Sequence, residues 1–155
     1  MVALLAAAAV APWSHPLAFR PVAGWRAGAS GTVASRYGAG RESAAWLARG
    51  VRYRDPATAD PPNRTLATLP RRAIVVWAVA FEGTARERRP IVLDLRRARR
   101  LPCCESTRVA GGMEELHGLG RRRAYTVYVR VYFGSRPTAA TRAAAQRALG
   151  RLDLS

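Results

Sequence analysis

From Tyr125 to Phe133 the chain alternates strictly. Tyr125, Val127, Val129, Val131 and Phe133 fall on one side, and Thr126, Tyr128, Arg130 and Tyr132 on the other. A period of two is the signature of a half-buried strand, and it predicts one over 124–133, ended by Gly134. Ala73–Glu82 (AIVVWAVAFE) has no such alternation. Its near-continuous apolar run, bounded by Pro70 and Gly83, predicts a central strand covered on both faces. Ile91–Leu95, after Pro90, reads as the hairpin partner of that strand across the charged loop Gly83–Arg89. After the alternating strand, Thr138 follows Pro137 as an N-cap, and the Ala-rich stretch Ala139–Leu152 has high helix propensity. Ala145, Leu149 and Leu152 share a helix face with Ala148 alongside, while Gly150 weakens the last turn by roughly 1 kcal/mol. A helix this poor in large apolar side chains is expected to cover a sheet.

The first half carries weaker periodicity. Val22–Ala27 around Trp25 and Gly50–Arg54 around Val51 and Tyr53 are candidate short strands. Ser43–Ala48 around Trp46 reads either as a helical turn or as the start of a strand. Ala57–Arg64, with Pro61-Pro62, is a loop. The fold class that follows is α+β: an antiparallel β-sheet or small β-sandwich with one C-terminal α-helix packed on it, forming a single domain over 24–155. Residues 1–23 read as a signal-like leader. Met1–Ala11 is an uncharged apolar run of signal-peptide length, too short to span a bilayer, and Pro12, Ser14, His15 and Pro16 end it. Export or envelope association is the resulting expectation, with a cytoplasmic protein as the alternative.

Charge changes this picture less than its size suggests. The formal net charge is +16 and the pI about 11.7, yet all 26 basic residues are arginine and none is lysine. Isoleucine occurs only at Ile74 and Ile91, and asparagine only at Asn63. That pattern fits the codon bias of a high-GC genome, so part of the arginine content reflects composition rather than a partner. The remainder still makes anionic partners easy to bind. Envelope polymers and lipid headgroups come first, and non-specific nucleic-acid binding by an intracellular protein is the alternative.

The residues expected to carry anion binding form two clusters. Arg86, Arg88, Arg89, Arg96, Arg97, Arg99 and Arg100 face only Glu87 and Asp94 within 86–100, and Arg121, Arg122 and Arg123 precede the alternating strand. If 91–95 pairs in the sheet, its flanking arginines lie at opposite strand ends and do not make one groove. Arg130, with Tyr128 and Tyr132, forms a basic-aromatic set able to stack on a base or hold a phosphate or sugar. The plainer reading of that set is a sheet face that is solvated or covered by the C-terminal helix.

Cys103-Cys104 is a candidate disulfide or thiol pair, and a soft-metal dithiol is the weaker functional alternative. No CxxC or HxxxH spacing completes a zinc site, so no metal and no cofactor are expected. His117 is the only imidazole outside the leader. Glu114 and Glu115 are adjacent and so point in different directions. No nucleophile–base motif is present, and no catalytic residue is assigned.

Certain short motifs recur in a recognisable order. Gly24-Trp25 is followed by Ser30-Gly31-Thr32 and Trp46. Thr65–Pro70 (TLATLP) leads into Ile74-Val75-Val76, and Phe133-Gly134 precedes Pro137-Thr138 and the Ala-rich helix. In this order the chain resembles small exported β-rich domains of high-GC Gram-positive bacteria. The resemblance implies export and a β-rich fold, and it brings no activity, cofactor or catalytic residue with it.

Overall fold

The computed structural model describes residues 16–38, 40–82, 89–101, 109–120 and 125–154. The order of elements is β1 (Ala18–Phe19), β2 (Arg26–Ala34), β3 (Arg41–Arg49), α1 (Asn63–Leu66), β4 (Ile74–Glu82), β5 (Arg99–Leu101), β6 (Met113–Leu119), β7 (Tyr125–Phe133), α2 (Ala139–Leu149) and β8 (Leu152–Asp153). Six of these strands form one antiparallel sheet in the order β2-β3-β4-β7-β6-β5, and β1 pairs with β8 in a two-stranded ribbon. This is an α+β fold.

β4 holds the centre because its sequence tolerates burial on both faces. Every residue from Ile74 to Ala80 is buried. Its partners are β3, in the register Trp46↔Trp77, and β7, in the register Trp77↔Arg130. Both hydrogen-bonding edges of β4 are therefore taken, and 91–95 is not its hairpin partner as the sequence suggested. That segment instead makes a single parallel bridge, Pro90↔Leu119, and then a 3-10 turn at Leu95–Arg97. Gly118 admits this approach, since a Cβ there would stand 2.7 Å from the Ile91 backbone.

The helix covers one face of the sheet. Thr138 caps it as expected, its side chain accepting from the Thr141 N–H at 3.1 Å. The helix stops at Leu149 rather than Leu152, because Leu152 and Asp153 leave it to pair with β1. Ala145, Leu149 and Leu152 nevertheless bury together against Val127, Val129, Val131 and Phe133 in one apolar cluster. Gln146 ties the 91–95 segment to the helix: its amide accepts from the Leu95 N–H and donates to the Leu93 carbonyl.

The other face is roofed by the 51–69 segment. Ser43–Ala48 is strand, within β3, whereas Gly50–Arg54 is not a strand. Tyr53 instead lies flat on Trp46, with ring centroids 3.9 Å apart and 7° between planes. Strand β2 begins only at Arg26, so Trp25 precedes it. Gly28 is required beneath Trp46, because a Cβ there would sit 2.7 Å from the indole. The 57–64 region is loop as far as Pro62, where α1 begins. Asp55 caps that short helix from outside, accepting from the backbone N–H groups of Arg64 and Thr65.

Candidate functional site

The registers place one row of side chains across the roofed face: Gly28, Trp46, Trp77, Arg130, Glu115 and Arg99 from β2 to β5. The row is aromatic where the 51–69 segment covers it and charged beyond. Arg130 lies 5.6 Å from the Trp77 ring centroid and donates to Glu115 at 2.6 Å. Burial is the largest single influence on the Arg130 guanidinium and would lower it, but the Glu115 hydrogen bond, the Glu115 charge and Tyr132 together outweigh it, so the group stays charged. In the next row Val79, Tyr128 and His117 are neighbours, with the His117 and Tyr128 rings 5.9 Å apart.

A cleft of about 250 Å³ opens over these rows, lined by Tyr37, Trp77, Phe81, Tyr128 and Arg130 together with Ala59, Pro61 and Val79. The hairpin between β2 and β3 supplies Tyr37, and the loop before α1 supplies the wall at 59–61. Tyr37 and Phe81 meet at 87°, and Phe81 and Tyr128 at 71°, so these rings form a corner rather than a stack. Asp60 accepts from the Tyr37 hydroxyl and pairs with Arg36 at 2.7 Å. That hydrogen bond, with some burial, raises the Tyr37 phenol above its ordinary value. Tyr132 is wholly buried and takes no part in the surface, so the basic-aromatic set expected from sequence keeps Tyr128 and Arg130 but not Tyr132. Nor does the C-terminal helix cover this face, because it packs on the opposite one.

The arginines singled out from sequence do not assemble into one patch among the described residues. Arg96 folds back on Asp94 at 2.9 Å. Arg99 and Arg100, adjacent on β5, point to opposite faces. Arg100 reaches Glu114 at 3.5 Å, and Arg99 lies in register with Glu115. Glu114 is buried on the helix face, where Arg142 also holds it, which separates it from Glu115 as their adjacency requires. Arg89 and Arg97 are exposed. Arg86, Arg88, Arg121, Arg122, Arg123, Cys103 and Cys104 lie outside the described residues, as does the apolar run Met1–Ala11.

Sequence inspection passed over a different set. Arg26 opens β2, Arg49 closes β3 and Arg52 follows it. Arg71 and Arg72 precede β4, and Arg136 follows β7. In an antiparallel sheet these positions share one end. The Arg136 N–H donates to the Arg71 carbonyl at 3.1 Å, and the Gly134 N–H to the Ala73 carbonyl at 3.0 Å. All six arginines are exposed. They make no ion pair among the described residues, whereas the opposite end pairs Arg36 with Asp60 and Arg41 with Glu82. A depression of about 340 Å³ lies within the rim, lined by Gly24, Arg26, Ala48, Gly50, Val51 and Arg52. The signal was present as single arginines beside strand termini, legible only once the strand order is known.

Among the described residues no three His, Cys, Asp or Glu side chains converge as a metal site, and no helix is long and apolar enough to cross a membrane. Comparison with protein-family models, with curated proteins and with solved structures returns no match.

Proposed function

We propose that this protein is a non-enzymatic, exported or envelope-associated domain that binds an extended anionic polymer along the arginine rim. The observation that carries this reading is the gathering of Arg26, Arg49, Arg52, Arg71, Arg72 and Arg136 at one end of four adjacent strands, with no carboxylate paired to any of them among the described residues. At about 4.8 Å per strand the row from β2 to β7 spans roughly 14 Å, a line of charge suited to successive phosphates of one chain. Lipid headgroups are disfavoured as partner because membrane docking gains from apolar side chains beside the charge. The exposed large apolar residues among those described, Val33, Tyr37 and Val92, lie elsewhere. Nucleic acid is disfavoured because, among the described residues, the aromatic rings near the rim, Trp25, Trp46 and Tyr53, are all partly buried and none is presented fully exposed to stack a base. The apolar run Met1–Ala11 and the resemblance of the motif order to exported domains of high-GC Gram-positive bacteria support the location.

The test is binding to poly(glycerol phosphate) across a salt series, with duplex DNA and anionic liposomes as comparison. Replacing Arg49, Arg52, Arg71 and Arg72 with Ser is expected to weaken polymer binding at least about tenfold and to flatten the salt slope by about three. An Arg96→Ser/Arg97→Ser variant should leave both unchanged. Equal binding by the rim variant and the parent, or equally weak and equally steep binding to all three polyanions, would sink the reading. Fractionation of the native host tests the location, and a soluble, uncleaved cytoplasmic product overturns export.

A further inference from the structure

We infer that the cleft between the β2–β3 hairpin and strands β4 and β7 is a second, independent site that binds one neutral saccharide ring. Charge sets the first constraint on the occupant. Arg130, the cation among the described lining residues, is matched by Glu115 at 2.6 Å, and next to the lining residue Tyr37 the Arg36 side chain is matched by Asp60 at 2.7 Å. An anion entering here would have to displace a carboxylate already seated, and a cation would meet the Arg130 guanidinium. An uncharged occupant meets neither penalty.

Shape narrows the class. At about 250 Å³ the cleft lies just below the range of roughly 300–1,000 Å³ usual for drug-sized ligands, which suits a single ring. A planar base is best held between two parallel rings, but the Tyr37, Phe81 and Tyr128 rings stand at 87° and 71° to one another. A pyranose is different. It presents C–H groups on its faces and hydroxyls around its perimeter. Aromatic walls at a corner pack against the C–H faces, and flat polar groups at the rim pair with adjacent hydroxyls. Among the lining residues Arg130 and Tyr37 carry such groups, the first hydrogen-bonded to the Glu115 carboxylate and the second to the Asp60 carboxylate. Arg130 is already oriented by Glu115 and by the Trp77 ring, and Trp77 is itself fixed by donating to the Thr58 carbonyl at 3.2 Å. Positioning of this kind lowers the ordering cost of binding.

The test is an NMR titration of the full chain with glucose, galactose, mannose and N-acetylglucosamine and their β-linked dimers, with adenosine and choline as competitors from other classes. At least one saccharide is expected to shift the resonances of Tyr37, Phe81 and Tyr128 while leaving those of Arg49 and Arg136 in place, and to do so independently of salt. Tyr128→Ala is expected to weaken that binding about tenfold. Tyr37→Ala, at a side chain 63% exposed, is expected to do the same with the fold intact, so that lost packing cannot explain the result. The arginine-rim variant should bind the saccharide normally, which separates this site from the polymer site. Failure of every saccharide to bind folded protein overturns the inference. So does saturation of the cleft by adenosine or choline alone, or binding that Tyr37→Ala and Tyr128→Ala both leave unchanged.

Discussion

The two faces of the six-stranded sheet are built from the same strands and do different things. The face under α2 is dry: Tyr125, Val127, Val129, Val131 and Phe133 from β7 meet Ala144, Ala145, Ala148 and Leu149 from the helix. Among the described residues its one buried carboxylate, Glu114, is held by Arg142 and Arg100. The opposite face also buries Tyr132 of β7 and Met113 of β6, but toward its other end it leaves Tyr128, Arg130 and Glu115 partly exposed and His117 exposed. The helix seals the first face together with the β1–β8 ribbon and the 91–98 segment, whose Leu17, Phe19, Leu152, Leu154 and Leu95 join the same cluster. An irregular cover of loop and one helical turn seals part of a face and leaves a cleft at its margin. The larger apolar cluster lies on the first face, and the cleft lies on the second.

The largest test of this contrast is truncation of one β7 aromatic on each side. Phe133 is buried on the helix face, with the Arg142 guanidinium 5.4 Å from its ring centroid. Phe133→Ala is expected to cost about 3–5 kcal/mol, a large share of a typical domain's stability. Tyr128→Ala, at the half-buried cleft margin, is expected to cost about 1 kcal/mol. Denaturant unfolding measures both. Equal losses would mean that the cleft face is as much a core as the helix face, and the distinction would fall.

The dry face was the more legible of the two. Strict alternation over 125–133 identified β7 and both of its faces, and the cap at Thr138 identified the start of the helix that covers one of them. β4 announced its double burial through an unbroken apolar run. The sequence left Ser43–Ala48 open between a helical turn and the start of a strand, because Arg41–Arg49 (RESAAWLAR) is rich in alanine and lacks β-branched residues. It is a strand because β2 and β4 supply partners along both edges. The cover at 51–69 was read only as loop and short strand, since Tyr53 stacking on Trp46 is a contact that no period encodes. The same limit hid the arginine rim. Its six members are scattered from Arg26 to Arg136, and only strand order brings them together. In the dense run at 86–100 the described arginines part company, because Arg99 and Arg100 face opposite ways on β5 and Arg96 turns back on Asp94.

A smaller effect sharpens the electrostatic side of the contrast. The Arg130–Glu115 pair on the cleft face has side chains only 25% and 14% exposed. A double-mutant cycle with Arg130→Gln and Glu115→Gln is expected to give a coupling of about 1–2 kcal/mol, because the hydrogen bond is charge-assisted and partly shielded from water. That coupling should change little between low and moderate salt. A coupling near zero would mean the pair does not orient Arg130, which would remove the preorganisation argued for the cleft.

The smallest effect lies on the exposed pair beside α2, and it depends on pH. Asp94 accepts side-chain hydrogen bonds from Arg96 and one from the Arg96 backbone N–H, and these hold its carboxyl below the usual value. Unfolded, the group titrates near about 3.9. A depressed folded value means that the interaction contributes stability above that pH and loses it as pH falls through the folded value. The Arg96 side chain is 90% exposed, so the contribution is small at every pH, unlike that of the half-buried pair on the cleft face. Carbon-detected NMR titration of the Asp94 carboxyl should show its midpoint rising in Arg96→Ala. The rise should stop short of the unfolded value, because the backbone N–H of residue 96 survives the substitution and still donates. A midpoint unmoved by Arg96→Ala would assign the whole shift to the backbone turn. The pair would then be a consequence of the 3-10 turn at Leu95–Arg97 and not one of the interactions that hold it against the helix.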